Sequence, residues 1–105
     1  MKVLLSSIAA ATLLMAGAAQ ADDAAKALAQ KSGCLACHSV DKKVLGPAFK
    51  DVAAKYKADK SAEGKLVEKV KKGGSGVWGP MPMPANSPQV KDEDIKTIVK
   101  WVLTL

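Results

Sequence analysis

Two cysteines and one histidine are all the chain possesses of either kind, and they sit together in the run Cys34-Leu35-Ala36-Cys37-His38. Thiols three positions apart can lie on one side of a helical turn, where each can add to a vinyl group of a haem as a thioether. The residue that follows then projects its imidazole under the ring, where a nitrogen lone pair can coordinate iron. C-x-x-C-H is accordingly the spacing of c-type haem attachment. Three other chemistries fit less well. A thioredoxin-like disulfide needs a strand–helix–strand frame, and no stretch of the sequence reads as strand. A structural zinc ion takes about four ligands, and only three are close. A lone surface histidine leaves its place directly after Cys-x-x-Cys unexplained.

Iron held on one side by His38 either takes a second axial partner or keeps an open site. The first arrangement suits electron transfer, the second ligand binding or catalysis. Apart from Met1 and Met15, the methionines are Met81 and Met83, both within Gly79-Pro80-Met81-Pro82-Met83-Pro84. A thioether is a soft ligand that favours ferrous iron. Prolines on both sides hold such a segment extended, so little freedom is lost when the sulfur binds a metal. Spacing alone does not choose between the two methionines, and both could instead pack against haem or core, as methionine commonly does.

The elements that must position these residues read as helices. Ala24 to Ser32 predicts a first helix, with Asp22-Asp23 at its start and Gly33 stopping it. Phe49, Val52, Ala53 and Tyr56 fall on one face of a second. Ser61 to Lys72 predicts a third, with Leu66, Val67 and Val70 inward and Gly73-Gly74 after it. Residues 73–90 carry four of the five prolines and read as irregular. Ile95, Ile98, Val99 and Val102 mark the last helix behind Asp92-Glu93-Asp94, capped by Lys91 or by Asp92 itself. Phe49 and Trp101 read as core. The fold expected is all-α.

Residues 1–21 do not read as part of that domain. Lys2, an apolar run from Val3 to Met15 and the small residues ending Ala19-Gln20-Ala21 have the order of a secretory signal peptide. A second A-x-A lies at 16–18; the acids at 22 and 23 favour the cut after Ala21. The run falls short of the ~20 strongly apolar residues a spanning helix needs. No stable membrane insertion is therefore expected after cleavage. Of 105 residues, cleavage leaves 84, residues 22–105. Only four aromatics serve so short a chain, and chains of this size usually need a disulfide, a metal or a large cofactor to complete a core. The 16 basic residues are all lysine, against 10 acids. A chain with no arginine, exported from the cell, is a poor nucleic-acid reader. Its charge suits an acidic protein face, though lysines also serve simple solubility.

Three stretches carry a resemblance: Leu45 to Lys55, Gly76 to Asn86 and Lys100 to Leu103. With C-x-x-C-H in place they resemble the bacterial cytochrome c-551 group of class I cytochromes c, over essentially all of residues 22–105. The resemblance implies about four short helices wrapped round one covalent haem c, and an axial thioether from the methionine of Pro-Met-Pro-x-Asn, which is Met83. It implies that Pro47 offers its carbonyl to the free ring nitrogen of His38, that Trp78 donates to a haem propionate, and that Asn86 bonds near the Met83 sulfur. Ala29 departs from the pattern, which often has an aromatic there, so looser packing between the terminal helices is expected.

The function this implies is a monomeric periplasmic electron carrier, not an enzyme. Its redox partners are a quinol-oxidising complex as donor and a nitrite reductase or terminal oxidase as acceptor. They would dock transiently at the haem edge, guided by lysines such as Lys31, Lys42, Lys43 or Lys72. The alternatives are a ligand-binding sensor or peroxidase-like enzyme with an open iron site, and an exported dithiol protein without cofactor. The run Gly74-Ser75-Gly76-Val77-Trp78-Gly79 matches a dinucleotide-binding G-x-G-x-x-G by letter only, lacking the strand before it and the helix after.

Overall fold

The last helix is the one the others lean on. A computed structural model describes residues 13–105, with side-chain surroundings from Asp22 onward. In it α4, Asp92–Val102, buries Ile95, Ile98, Val99, Trp101 and Val102. This is the apolar stripe its sequence spells out, and Ile95 is wholly shielded from solvent. Three acids occupy its first turn, where they oppose the positive end of the helix dipole. The cap is Lys91, in extended conformation, with no side-chain bond to the helix; Asp92 is already helical.

Helix α1, Leu13–Lys31, lies against α4. It starts well before the expected position near Ala24. Leu, Met and Ala dominate residues 13–21, and their helix propensity carries the helix straight through Ala21. Residues 1–12 of the expected signal segment lie outside the described residues. On the packed face are Ala25 and Ala29, both buried in one cluster with Phe49, Val52, Ile98, Trp101 and Val102. Ala29 has no exposed surface at all, so the helices are not loose there. The small residue admits a close approach, and the large indole of Trp101 fills the same cluster. Trp101 meets Phe49 edge to face at 5.6 Å.

Helix α2, Phe49–Tyr56, buries Phe49, Val52 and Ala53. Helix α3, Ala62–Lys72, packs on the other flank of α4, where Val67, Ile95 and Val99 form a second cluster. Ion pairs join the two helices at either end, Lys71–Asp92 at 3.1 Å and Lys100–Glu63 at 3.7 Å. Both are exposed enough to contribute only about 0–1 kcal/mol each. Among the described residues regular structure is otherwise a single 3-10 turn at Cys34–Ala36 and two isolated bridges, His38 to Lys43 and Gly74 to Met83. The fold is all-α.

The start of α3 is organised by Asp59 rather than by its cap residue Ser61. The Asp59 carboxylate accepts bonds from Ser61 N–H and Oγ at 2.8 and 2.6 Å and from Lys65 Nζ at 2.9 Å. The Ser61 bonds, then Lys65, hold its pKa down at about 2. A folded pKa below the unfolded value of about 3.9 means stability that is full at neutral pH and lost as the carboxylate protonates. Asp59→Asn should therefore melt below the wild type at neutral pH. That gap should close between about pH 4 and about pH 2, as thermal melts monitored by circular dichroism would show.

Candidate haem-binding site

The turn that carries the cysteines is closed by its own backbone. Gly33 enters it at φ 86, and the N–H groups of Cys37 and His38 both donate to Cys34 O, at 3.2 and 2.9 Å. The chain then loops back on itself. Gly46 N–H donates to Cys37 O at 2.7 Å, and Phe49 N–H donates to Ser39 O at 2.8 Å, which brings the start of α2 beside the histidine. Phe49 stacks on the His38 ring at 5.1 Å. It is therefore a contact of the site as well as a core residue, which helical periodicity could not reveal.

Nδ1 of His38 stands 2.7 Å from Pro47 O. A carbonyl can only accept, so this bond requires the hydrogen on Nδ1 and leaves the Nε2 lone pair free for a metal. Both cysteines are half-buried, and no disulfide joins them. Burial pushes the Cys34 thiol above its ordinary range, and the neighbouring Cys37 adds to the effect.

The methionine segment is positioned by the end of α3. Gly74 N–H donates to Met83 O at 2.9 Å and Met83 N–H returns to Gly74 O at 2.8 Å. Residues 75–82 thus form a closed loop, cinched again by Gly76 N–H to Gly79 O at 2.9 Å. Beyond the bridge, Asn86 N–H donates to Val70 O at 3.0 Å. The hydrogen bonds of the Asn86 side chain run to backbone. Its Nδ2 donates to Val70 O at 3.2 Å and Pro84 O at 3.3 Å, which uses both of its hydrogens. The side chain ties the exit of the loop to the last turn of α3, whose terminal carbonyls lack helical partners.

These pieces surround one cavity of about 440 Å³, lined at once by Cys34, Cys37, His38, Met83 and Trp78. That volume falls within the ~300–1,000 Å³ typical of cofactor sites. Its walls are the apolar faces of the helices, chiefly Val52, Leu66, Val70, Ile98, Val99 and Val102. Met83 is half-buried whereas Met81 is 60% exposed. Trp78 lies on the rim, 42% exposed, beneath Lys55 Nζ at 5.6 Å from the ring centre. Two thiols, an imidazole nitrogen with a free lone pair and a thioether, set round a greasy slot of this size, fit a covalently attached haem. Sequence reasoning passed over Lys69, which lines the cavity, because a lysine near the end of a helix reads first as a solvated charge.

Fold and donor set together define a class: a small all-α chain closed around one covalently held haem. A family model described as cytochrome c matches residues 23–105, and the chain belongs to that family. It is 48% identical over 101 residues to cytochrome c-551 of Pseudomonas aeruginosa, covering 96% of this chain and 93% of that one. Among solved structures it is similar to wild-type cytochrome c552 of Nitrosomonas europaea, with a TM-score of 0.72, 51% identity and coverage of 76% of this chain and 98% of that one. It is also similar to the class 1 cytochrome MtoD of Sideroxydans lithotrophicus ES-1, with a TM-score of 0.67, 36% identity and coverage of 78% and 92%. The protein is a small electron carrier with one haem c, held through its two cysteines.

Proposed function

We propose that the chain is exported, cut after Ala21, and shuttles single electrons in the periplasm with His38 and Met83 as the two axial ligands of its haem iron. The observation that carries this reading is that one cavity is lined by both thiols, the imidazole and the two methionines, of which Met83 is half-buried and Met81 60% exposed. When bound, the haem supplies a one-electron Fe(II)/Fe(III) couple. The protein holds and tunes it. Pro47 O fixes the His38 tautomer and raises the basicity of Nε2. The Gly74–Met83 bridge and the flanking prolines hold the thioether in place before ligation, so little ordering opposes it. Apolar helix faces keep water from the haem, and Trp78, on the rim, donates its N–H to a propionate in this reading.

Docking uses the rim. Leu45, Val77 and Met81 line the cavity yet stay more than half exposed, and Lys42 and Lys43 are exposed beside Leu45 in sequence. Small apolar contacts ringed by charge suit brief redox encounters. Lys72, by contrast, is engaged with Glu68 at 3.1 Å, so Lys42 and Lys43 carry more of the steering. The partners are a quinol-oxidising complex as donor and a nitrite reductase or terminal oxidase as acceptor. Among the described residues no helix is long and apolar enough to cross a membrane.

The absorption spectrum of the oxidised protein tests the ligation. A methionine–Fe(III) charge-transfer band should be present in the wild type and in Met81→Ala and lost in Met83→Ala. High-spin ferric iron in the wild type, taking up carbon monoxide readily on reduction, would replace this reading with that of an open-site haem protein.

A further inference from the structure

The imidazole of His38 lies against a residue with no side chain. A Cβ on Gly46 would stand 2.5 Å from Cε1, 2.9 Å from Nδ1 and 3.1 Å from Nε2 of that ring, where carbon contacts ordinarily lie at about 3.5–4.0 Å. The restriction is one of space alone. Gly46 is not among the glycines with positive φ, so alanine could adopt its backbone. That backbone is itself pinned, through Gly46 N–H to Cys37 O at 2.7 Å and Val44 N–H to Gly46 O at 3.1 Å. The ring has little room to retreat, with Nδ1 bonded to Pro47 O at 2.7 Å and Phe49 stacked on it at 5.1 Å. A methyl group at position 46 must therefore tilt the ring and stretch the bond to Pro47.

We propose that Gly46 is a positioning residue for the proximal ligand. Its bare Cα lets the imidazole lie flat with Nδ1–H seated on Pro47 O, and that seating sets how much electron density Nε2 gives the iron. The proposal rests on the reading of His38 as an iron ligand and adds what tunes it. A short Nδ1–H bond to a carbonyl makes the imidazole more basic, which favours the ferric state. Loosening it shifts the balance toward ferrous iron and raises the potential.

The test compares holoprotein of the wild type, Gly46→Ala and Gly64→Ala. A Cβ at Gly64, in α3, would meet nothing within 4 Å. Each is equilibrated with a one-electron mediator, and the Nδ1–H proton is followed by NMR. Gly46→Ala should keep covalent haem and low-spin iron. Its equilibrium should move about ten-fold toward the reduced form, or about 59 mV for one electron, with faster exchange of the Nδ1–H proton. Gly64→Ala should match the wild type. A low-spin Gly46→Ala holoprotein with unchanged potential and exchange overturns the proposal and leaves the shuttle reading standing. A wild type without low-spin iron overturns the shuttle reading instead. If Gly46→Ala gives no holoprotein, it is combined with Phe49→Leu, which frees space beside the ring. Recovery with a raised potential supports the proposal; no recovery, when Phe49→Leu alone matures, overturns it.

Discussion

Alanine at both Cys34 and Cys37 is expected to leave a chain with no covalent haem and no cooperative fold. The polypeptide supplies little to fall back on. The described core consists mainly of single alanines, valines and isoleucines, with Phe49 and Trp101 its only buried aromatics. Val52, Leu66, Val70, Ile98, Val99 and Val102 of α2, α3 and α4 turn apolar side chains to the cavity. Extrapolating the roughly 24 cal/mol per Å³ measured for core cavities to about 440 Å³ gives on the order of 10 kcal/mol. That is an upper figure, since an open slot can collapse or take in water, but it matches the whole stability of an ordinary domain, about 5–15 kcal/mol. The double variant, made in cells that mature such proteins, should show an intact mass without haem and lose most helical circular dichroism. Cys34→Ala or Cys37→Ala alone keeps one thioether and should fall between. A haem-free double variant that melts cooperatively with native helix content would show that the polypeptide core suffices without the cofactor.

What the sequence disclosed followed from how local each feature is. Helices α2, α3 and α4 were legible because each buries one periodic stripe, and the end of α3 because Gly73 follows a run of lysines. The start of α1 was not, since the acids at 22 and 23 looked like a first turn while the Leu- and Ala-rich stretch before them is equally able to be helical. The attachment turn could be read because its chemistry lies within five consecutive residues. Spacing left Met81 and Met83 equivalent in Pro-Met-Pro-Met-Pro; the fold bridges Met83 to Gly74 by backbone bonds, and pairing across a loop leaves no trace in composition. Asn86 shows the same limit. A side-chain amide bonds whichever oxygens the fold brings near, and these are Val70 O and Pro84 O. Gly46 looked like turn punctuation, and only the return of the loop onto His38 shows what a side chain there would strike.

Gly73→Ala should cost more than replacement of any other glycine from Gly33 onward. Gly73 ends α3 with φ 72 and ψ −161, a region open essentially to glycine alone and worth roughly 1–3 kcal/mol of strain to any other residue. Space is also lacking. A Cβ there would overlap Met83 O and stand 2.8 Å from Ala85 N and 2.9 Å from Pro84 C, so the backbone carrying Met83 must move away. Overpacking of this kind adds about 1–3 kcal/mol, and together the two effects reach on the order of 2–6 kcal/mol. Gly76 separates the causes. Its φ of 110 is also positive, but a Cβ there meets nothing within 4 Å, so Gly76→Ala carries the conformational strain without the collision. Both variants should lose stability in urea titrations, Gly73→Ala by more. Only Gly73→Ala should also weaken the ferric methionine band and let cyanide bind faster, because only it displaces Met83 from Gly74. Equal cyanide rates for the two variants would mean that the end of α3 does not set the position of the sulfur.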